Sequence, residues 1–483
     1  MSAAAERRLG DRIAASIFRD PDYLDDAVLG DYLQSLWQPL MAAARARGEI
    51  SPEIEERFAW RLLQVRDRSV NAFALPGGYL GVHTGLIGLV SSADELAAVL
   101  AHELSHVSQR HIARLTGQQA AMAPWMIGAM ILGALAASKN PEAAQAAIVG
   151  GQALSVQGQL NFSRDMEREA DRVGYGIMTE AGFDGRGAAS MFDKLQQASR
   201  LNDNGAFPYL RSHPLSTERM AEARARQQSS PASLGVGADK TPGARDADLL
   251  HSLMAARARV LGSPGVDALR AMQAQASREL TAQASAKPEL VAGNLYAGAL
   301  AAIRLREAAP AAVFLGRLQA LTAGLPRAQD QTSFLAIELD LQAGKKPTAR
   351  LSSEAMKSRA GLLVQARTAL ALADSAGLSD SSERLQTWVT VNPRDAVAWQ
   401  TLAQVWGQQG QTARAVRADA EARAALLDYP AALDRLRAAQ ALLRSGPAST
   451  DPNASIEAAI METRTRQLTQ LVREQAIEDK LNR

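Results

Sequence analysis

The run Ala98–Ile112, AVLAHELSHVSQRHI, carries His102 and His106 four residues apart with Glu103 between them. On a helix, positions i and i+4 project from one face, so these two imidazoles can grip one metal ion. Glu103 lies about 100° round the helix from His102, close to the ion without ligating it. A general base must sit there to take a proton from a water activated by the metal. The pattern also occurs on plain amphipathic helices. Here Ser92-x-x-Glu95 supplies a capping box, no Pro or Gly interrupts the run, and Leu96, Val99, Leu100, Leu104 and Val107 make a buried stripe. That setting favours a metal site.

Two histidines need a third ligand. A metzincin-type extension would require Gly at 109 and His at 112, where the chain has Gln109 and Ile112, so that class is excluded. His111 is five residues beyond His106, about 140° round a continuous helix, and is expected to serve packing or the surface rather than the same ion. Between Val107 and Arg164 the only acid is Glu142. A dense cluster follows in NFSRDMEREADRVGYGIM, Asn161–Met178. Glu167 and Asp171 share one helical face, and Ala170 is small enough for two helices to approach. Glu167 then suits the third ligand and Asp171 a carboxylate that orients a ligand histidine. The same acids also suit a solvated face paired with Arg164, Arg168 and Arg172. There is no cysteine, so any metal is held by His, Asp or Glu.

The elements that would position these groups can be read around them. Residues 12–65 have apolar spacing that predicts helices, ending one of them at Gly48. Val70–Leu75 and Tyr79–Val82 flank Pro76-Gly77-Gly78 and predict a β-hairpin. Ala120–Ala137 is the most apolar segment, at the short limit for a membrane span. Pro124, Gly128 and Gly133 argue instead for a lid over the cleft or a segment touching a membrane. Residues 227–248 are rich in Ser, Pro, Gly and Asp and read as a linker. The expected division is therefore a domain over 1–226, a linker over 227–248 and a helical domain over 249–483. In the last part Gly344, Gly377 and Gly410 recur every 33 residues in turn-like settings, the tetratricopeptide period. Trp399, Leu402, Ala403, Trp406, Ala415 and Ala422 fall where such a repeat places its packing residues. A plain helical bundle is the other reading.

The bulk composition agrees with a soluble, mostly helical, multidomain chain. It has 483 residues, 47% hydrophobic and 22% charged, with many alanines. Lys+Arg 53 against Asp+Glu 51, scattered rather than bunched, argues against a nucleic-acid surface. The N-terminal stretch carries Glu6, Arg7, Arg8, Asp11 and Arg12 where an export signal would need an apolar core, so none is expected in the sequence as written.

HELSH, then EREAD some sixty residues on, with NAFALPGGYLGVHTGLI upstream and SHPLSTER downstream, resembles the zinc metallopeptidase family of the heat-shock protease HtpX and the CAAX prenyl proteases. The helical C-terminal region is similar to that of its soluble periplasmic branch. The resemblance implies an α+β zincin-like domain, mostly helical with a small sheet, followed by an all-α tetratricopeptide-repeat domain. It implies one Zn2+ per chain on His102, His106 and Glu167, with Glu103 as general base and Asp171 in the family's Glu-x-x-Ala-Asp motif. Asn71, Ala72, Phe73 and Ala74 match the edge strand that holds an extended substrate. His213 and Arg219 match a motif near the zinc. His213 is expected either to stabilise the oxyanion together with Arg219 or to take the fourth metal position and hold the enzyme shut. His83 and His251 are read as structural or surface residues.

The function expected is zinc-dependent endopeptidase action on misfolded or misassembled outer-membrane proteins in the periplasm. The repeats would dock substrate or the membrane-protein assembly machinery, with chaperone-like activity besides. One rival is a repeat-based chaperone or scaffold with a latched zinc site, against which Glu103 argues, since a structural site has no use for an acid there. Another is an exopeptidase, which would need an anchor for a free terminus that the sequence does not offer.

Overall fold

The computed structural model describes residues 1–118, 164–201, 207–229, 242–281, 287–445 and 454–481. The apolar segment 120–137 and Glu142 lie outside the described residues. The chain divides into two compact units, Met1–Leu335 and Ala336–Arg483.

The first unit opens with α1 (Ala3–Arg19), β1 (Tyr23–Leu24), α2 (Ala27–Ala46) and α3 (Pro52–Arg57). Three strands follow, β2 (Arg61–Val65), β3 (Ala72–Leu75) and β4 (Tyr79–His83). They form one sheet in the order β1-β2-β4-β3, so β3 is an edge strand. The predicted hairpin is present: β3 and β4 are antiparallel with Leu75 opposite Tyr79. Its turn needs glycine, because Gly77 and Gly78 have φ of 71° and 87°. A Cβ on Gly77 would also lie 2.6 Å from the Arg7 Cα. The helical expectation for residues 12–65 fails at β1 and β2. Arg61–Val65 is five residues long, and its identity as a strand comes from parallel pairing with β4. Local spacing cannot report such a long-range partner.

Next come α4 (Thr84–Leu89), α5 (Ala93–Ser108) and α6 (His111–Gln118). The α5 cap forms as expected, with Ser92 Oγ accepting from Glu95 N at 3.2 Å. In return the Glu95 carboxylate accepts from Ser91 N at 2.7 Å. Leu96, Leu100 and Leu104 are fully buried and seat α5 in the core. α5 stops at Ser108 because Arg110 turns to a left-handed φ of 53°. That conformation is costly for an arginine, and bonds from its guanidinium to Glu6 Oε2 at 2.9 Å and Met1 O at 2.8 Å hold it there.

Beyond the undescribed stretch lie α7 (Arg164–Glu180), α8 (Arg186–Leu201), α9 (Tyr209–Ser212) and α10 (Thr217–Ser229). α7 lies directly on α5. Ala170 is fully buried, and a Cβ on Gly174 would sit 3.0 Å from His102 N. Small residues at 170 and 174 therefore set the approach that brings α7's acids to α5's histidines.

Composition placed the domain boundary at 227–248, and the compact units do not divide there. α11 (Pro242–Gly262) begins inside that range and packs back on the first unit. Arg257 grips Asp26 through Nε and Nη2, each at 2.7 Å. His251 bridges Tyr32 Oη at 2.6 Å and Val90 O at 3.0 Å. α12 (Val266–Thr281), α13 (Pro288–Arg304), α14 (Ala308–Thr322) and most of α15 (Pro326–Gln342) complete this unit. His251 and His83 are both about 1% exposed, so the surface reading of either is excluded and the structural one stands.

The second unit is helical among its described residues: α16 (Ser353–Lys357), α17 (Arg359–Leu372), α18 (Ser375–Val391), α19 (Ala396–Gln408), α20 (Thr412–Ala425), α21 (Tyr429–Ser445) and α22 (Ala454–Leu481). Gly410 makes a left-handed turn, φ 76°, between α19 and α20, with Leu402 and Trp406 buried between helices. Gly344 also has positive φ, 68°, but Gly377 lies within α18. The even spacing of the three glycines thus does not mark three equivalent turns.

Candidate metal centre

Capping and burial fix α5, and the helix period then turns His102 and His106 to one side. Their Nε2 atoms are 3.0 Å apart. α7 delivers Glu167, with Oε2 3.5 Å from His102 Nε2 and Oε1 3.5 Å from His106 Nε2. His213 ends α9, ahead of Pro214, and places Nδ1 3.3 Å from His102 Nε2 and 2.9 Å from Glu167 Oε1. One donor atom from each of these four buried residues lies within 4.8 Å of the other three. Burying so many lone pairs together is costly without a shared proton or cation. Glu103 sharpens the point. It is 1% exposed, and neither carboxylate oxygen has a hydrogen-bond partner among the described residues. A donor set of three imidazoles and a carboxylate, beside an orphaned acid, fits a divalent metal centre.

The surroundings are arranged for positive charge. Asp171 Oδ1 is 3.0 Å from His102 Nδ1. Asp171 is itself held by Arg219 through Nε at 2.6 Å and Nη2 at 2.8 Å. Burial works to lower the His102 pKa, but hydrogen bonds to Asp171 and Glu167 outweigh it and hold it up at about 10. His106 goes the other way: burial and the neighbouring His102 push it well below its ordinary value. Burial would raise Glu167, yet the His213 and His102 imidazoles keep it ionised far below the usual carboxylate range.

Each residue singled out in the sequence has a definite place. His102, His106, Glu167 and His213 converge, Glu103 stands beside them, and Asp171 touches His102. Arg219 is bonded otherwise than an oxyanion donor would be. Besides Asp171, its Nη1 reaches Pro214 O and Glu167 Oε2, both at 2.8 Å. Its guanidinium thus contacts both carboxylates. Asn71 precedes edge strand β3, and the Ala72–Ala74 residues lie on it. Tyr209 N donates to Val70 O at 3.3 Å, which ties the His213 loop to that strand.

Sequence reasoning missed two participants. Tyr209 stacks on His213 with ring centroids 4.6 Å apart. His111, set aside on helix geometry, is fully buried with Nδ1 2.8 Å from His106 Nδ1. The angular argument assumed an unbroken helix, and the turn at Arg110 removes that premise. His111 is still no member of the converging set. Alternate acids at 167, 169 and 171 were the available signal, since Glu169 is the partner His111 meets on its other side.

Comparison with known proteins agrees with this geometry. The profile of Peptidase family M48 matches residues 32–227. The chain is 28% identical over 484 residues to a beta-barrel assembly-enhancing protease of Yersinia pestis, covering 98% of this chain and 90% of that one. It is 31% identical over 230 residues to a beta-barrel assembly-enhancing protease of Escherichia coli, an alignment covering 47% of this chain and 44% of the relative. A mitochondrial metalloendopeptidase of Arabidopsis thaliana, OMA1, is 33% identical over 164 residues, 34% of this chain and 31% of that one. In the last two alignments the chain thus spans less than half of its relative's length. Residues 32–227, the stretch that holds the histidine and glutamate cluster, are thus similar to peptidase family M48.

Proposed function

We propose that the protein is a zinc-dependent endopeptidase acting on misfolded or misassembled outer-membrane proteins. The observation that carries the reading is the four-donor cluster with the buried Glu103 carboxylate, which accepts no hydrogen bond among the described residues, beside it. Zinc bonds of about 2.0–2.1 Å put tetrahedral ligands about 3.3 Å apart, close to the separations of 2.9 to 3.5 Å found here. His102, His106 and Glu167 would hold the ion, which when bound supplies Lewis acidity for water and for the scissile carbonyl. Glu103 takes the proton from the attacking water and passes it to the leaving amine. Asp171 keeps the proton of His102 on Nδ1, which leaves Nε2 as the ligand. An extended peptide adds to the edge of β3, hydrogen-bonding through its backbone, so little sequence is demanded of it.

His213 supports a latch. Its Nδ1 lies among the ligand atoms, and its Nε2 is 3.5 Å from Glu103 Oε1, so the ring stands where a substrate would have to enter. The commitment of Arg219 to Asp171 and Glu167 argues against the oxyanion alternative. The same latch favours the second reading, a chaperone or scaffold whose site stays shut.

Support for the clients is the printed name of the Yersinia and Escherichia relatives. The compartment proposed is the periplasm, with the second helical unit docking clients or the assembly machinery. No helix among the described residues is long and apolar enough to cross a membrane. The test is zinc content and cleavage of an unfolded β-barrel protein by wild type and Glu103→Gln. Retained zinc with cleavage lost by about a hundredfold or more supports the enzyme; measurable cleavage at equal rates by both sinks it.

A further inference from the structure

We propose that His111 and Glu169 form a relay that fixes the tautomer of His106 and so makes its Nε2 a metal ligand. The inference rests on the reading of His106 as a ligand. Two ring nitrogens 2.8 Å apart, His106 Nδ1 and His111 Nδ1, cannot both present lone pairs, so one carries the proton. The other end of His111 decides which. His111 Nε2 is 3.2 Å from Glu169 Oε2, and an ionised carboxylate can only accept. Arg114 pairs with the same carboxylate, its Nη1 donating to that oxygen at 2.7 Å. The carboxylate therefore draws the His111 proton onto Nε2 and leaves a lone pair on Nδ1.

That lone pair accepts from His106 Nδ1–H. A neutral His106 protonated on Nδ1 has its lone pair on Nε2, the atom 3.0 Å from His102 Nε2 and 3.5 Å from Glu167 Oε1. With the relay reversed, the His106 proton would point into the cluster and His111 would turn a lone pair toward Glu169. The second contact is repulsive, and the first removes the Nε2 lone pair that a metal would need. The turn at Arg110 is what allows the arrangement, since it returns His111 to the back of His106 after α5 has ended. His111 is thus a positioning residue, directly behind His106 as Asp171 is directly behind His102, with Glu169 one step further out.

The test compares zinc affinity, by competition with a chromophoric chelator, for full-length wild type, His111→Phe and His111→Gln. Phenylalanine keeps the buried ring but neither nitrogen. Glutamine keeps an acceptor for His106 and a donor for Glu169. His111→Phe is expected to bind zinc roughly ten- to a hundredfold more weakly, and His111→Gln to recover most of the loss. Zinc binding by His111→Phe equal to wild type overturns the relay. A wild type that takes up no zinc overturns the metal reading, and the relay with it. Where His111→Phe fails to fold, 15N histidine NMR of zinc-loaded wild type decides. Protons on His106 Nδ1 and His111 Nε2 support the relay, and the opposite pair refutes it.

Discussion

The two helix-borne histidines are supported in different ways. Behind His102 stands a single carboxylate, Asp171, clamped by Arg219, and both are nearly excluded from solvent, with side chains 7% and 4% exposed. Behind His106 stands a second imidazole, and only then Glu169 and Arg114, with side chains 27% and 47% exposed. Both arms use a carboxylate from α7, two residues apart, and both end on an arginine. The difference is depth. The His102 arm is a buried ion pair whose loss leaves uncompensated charge. The His106 arm reaches the surface, where water can replace the outer members. The expectation is that one arm governs folding and metal together and the other metal alone.

The comparison breaks most sharply at Arg219. Arg219→Ala takes from the buried Asp171 and Glu167 the guanidinium that pairs with both, a loss of about 3–5 kcal/mol. Denaturant unfolding of the metal-free protein should show it; a midpoint within error of wild type would mean that the His102 arm is no deeper than the other. Glu169→Ala should leave the unfolding midpoint within about 1 kcal/mol, while zinc affinity falls about tenfold. A large loss of stability there would erase the distinction between the arms.

Acidity gives a third handle, of smaller effect near neutrality. His102 has a folded pKa of about 10 against an ordinary 6.5. A raised pKa stabilises the metal-free fold fully below 6.5 and loses that contribution as pH rises through 10. Zinc must displace that proton, so its affinity should tighten with pH across this window, by up to about tenfold per unit. Calorimetry in buffers of different ionisation heat would report the released proton. Binding with no proton release would contradict the charge arrangement around His102.

Much of the site was legible because its logic is local. The i, i+4 pairs of α5 and α7, the Ser92 cap and the small residue at Ala170 all follow from the helix period. What was lost depended on contacts across the chain. Arg110 takes a left-handed turn with neither Gly nor Pro to announce it, because Glu6 and Met1 O, far away in sequence, stabilise it. That one turn hid the role of His111. β2 is a strand because β4 lies beside it. The 227–248 stretch has a linker's composition, yet Arg257 and His251 just beyond it anchor α11 to α2 and the end of α4. Gly377 kept the 33-residue spacing but sits inside a helix, so spacing without local turn chemistry misled.

The central claim is that Glu103 performs the chemistry and His213 restrains it. The most direct measurement is cleavage of an unfolded β-barrel protein, with zinc content determined in parallel, by wild type, His213→Ala and the double variant His213→Ala, Glu103→Gln. The account predicts faster cleavage than wild type for His213→Ala and none for the double variant, with about one zinc per chain retained by both. Cleavage by the double variant at the rate of His213→Ala would contradict it.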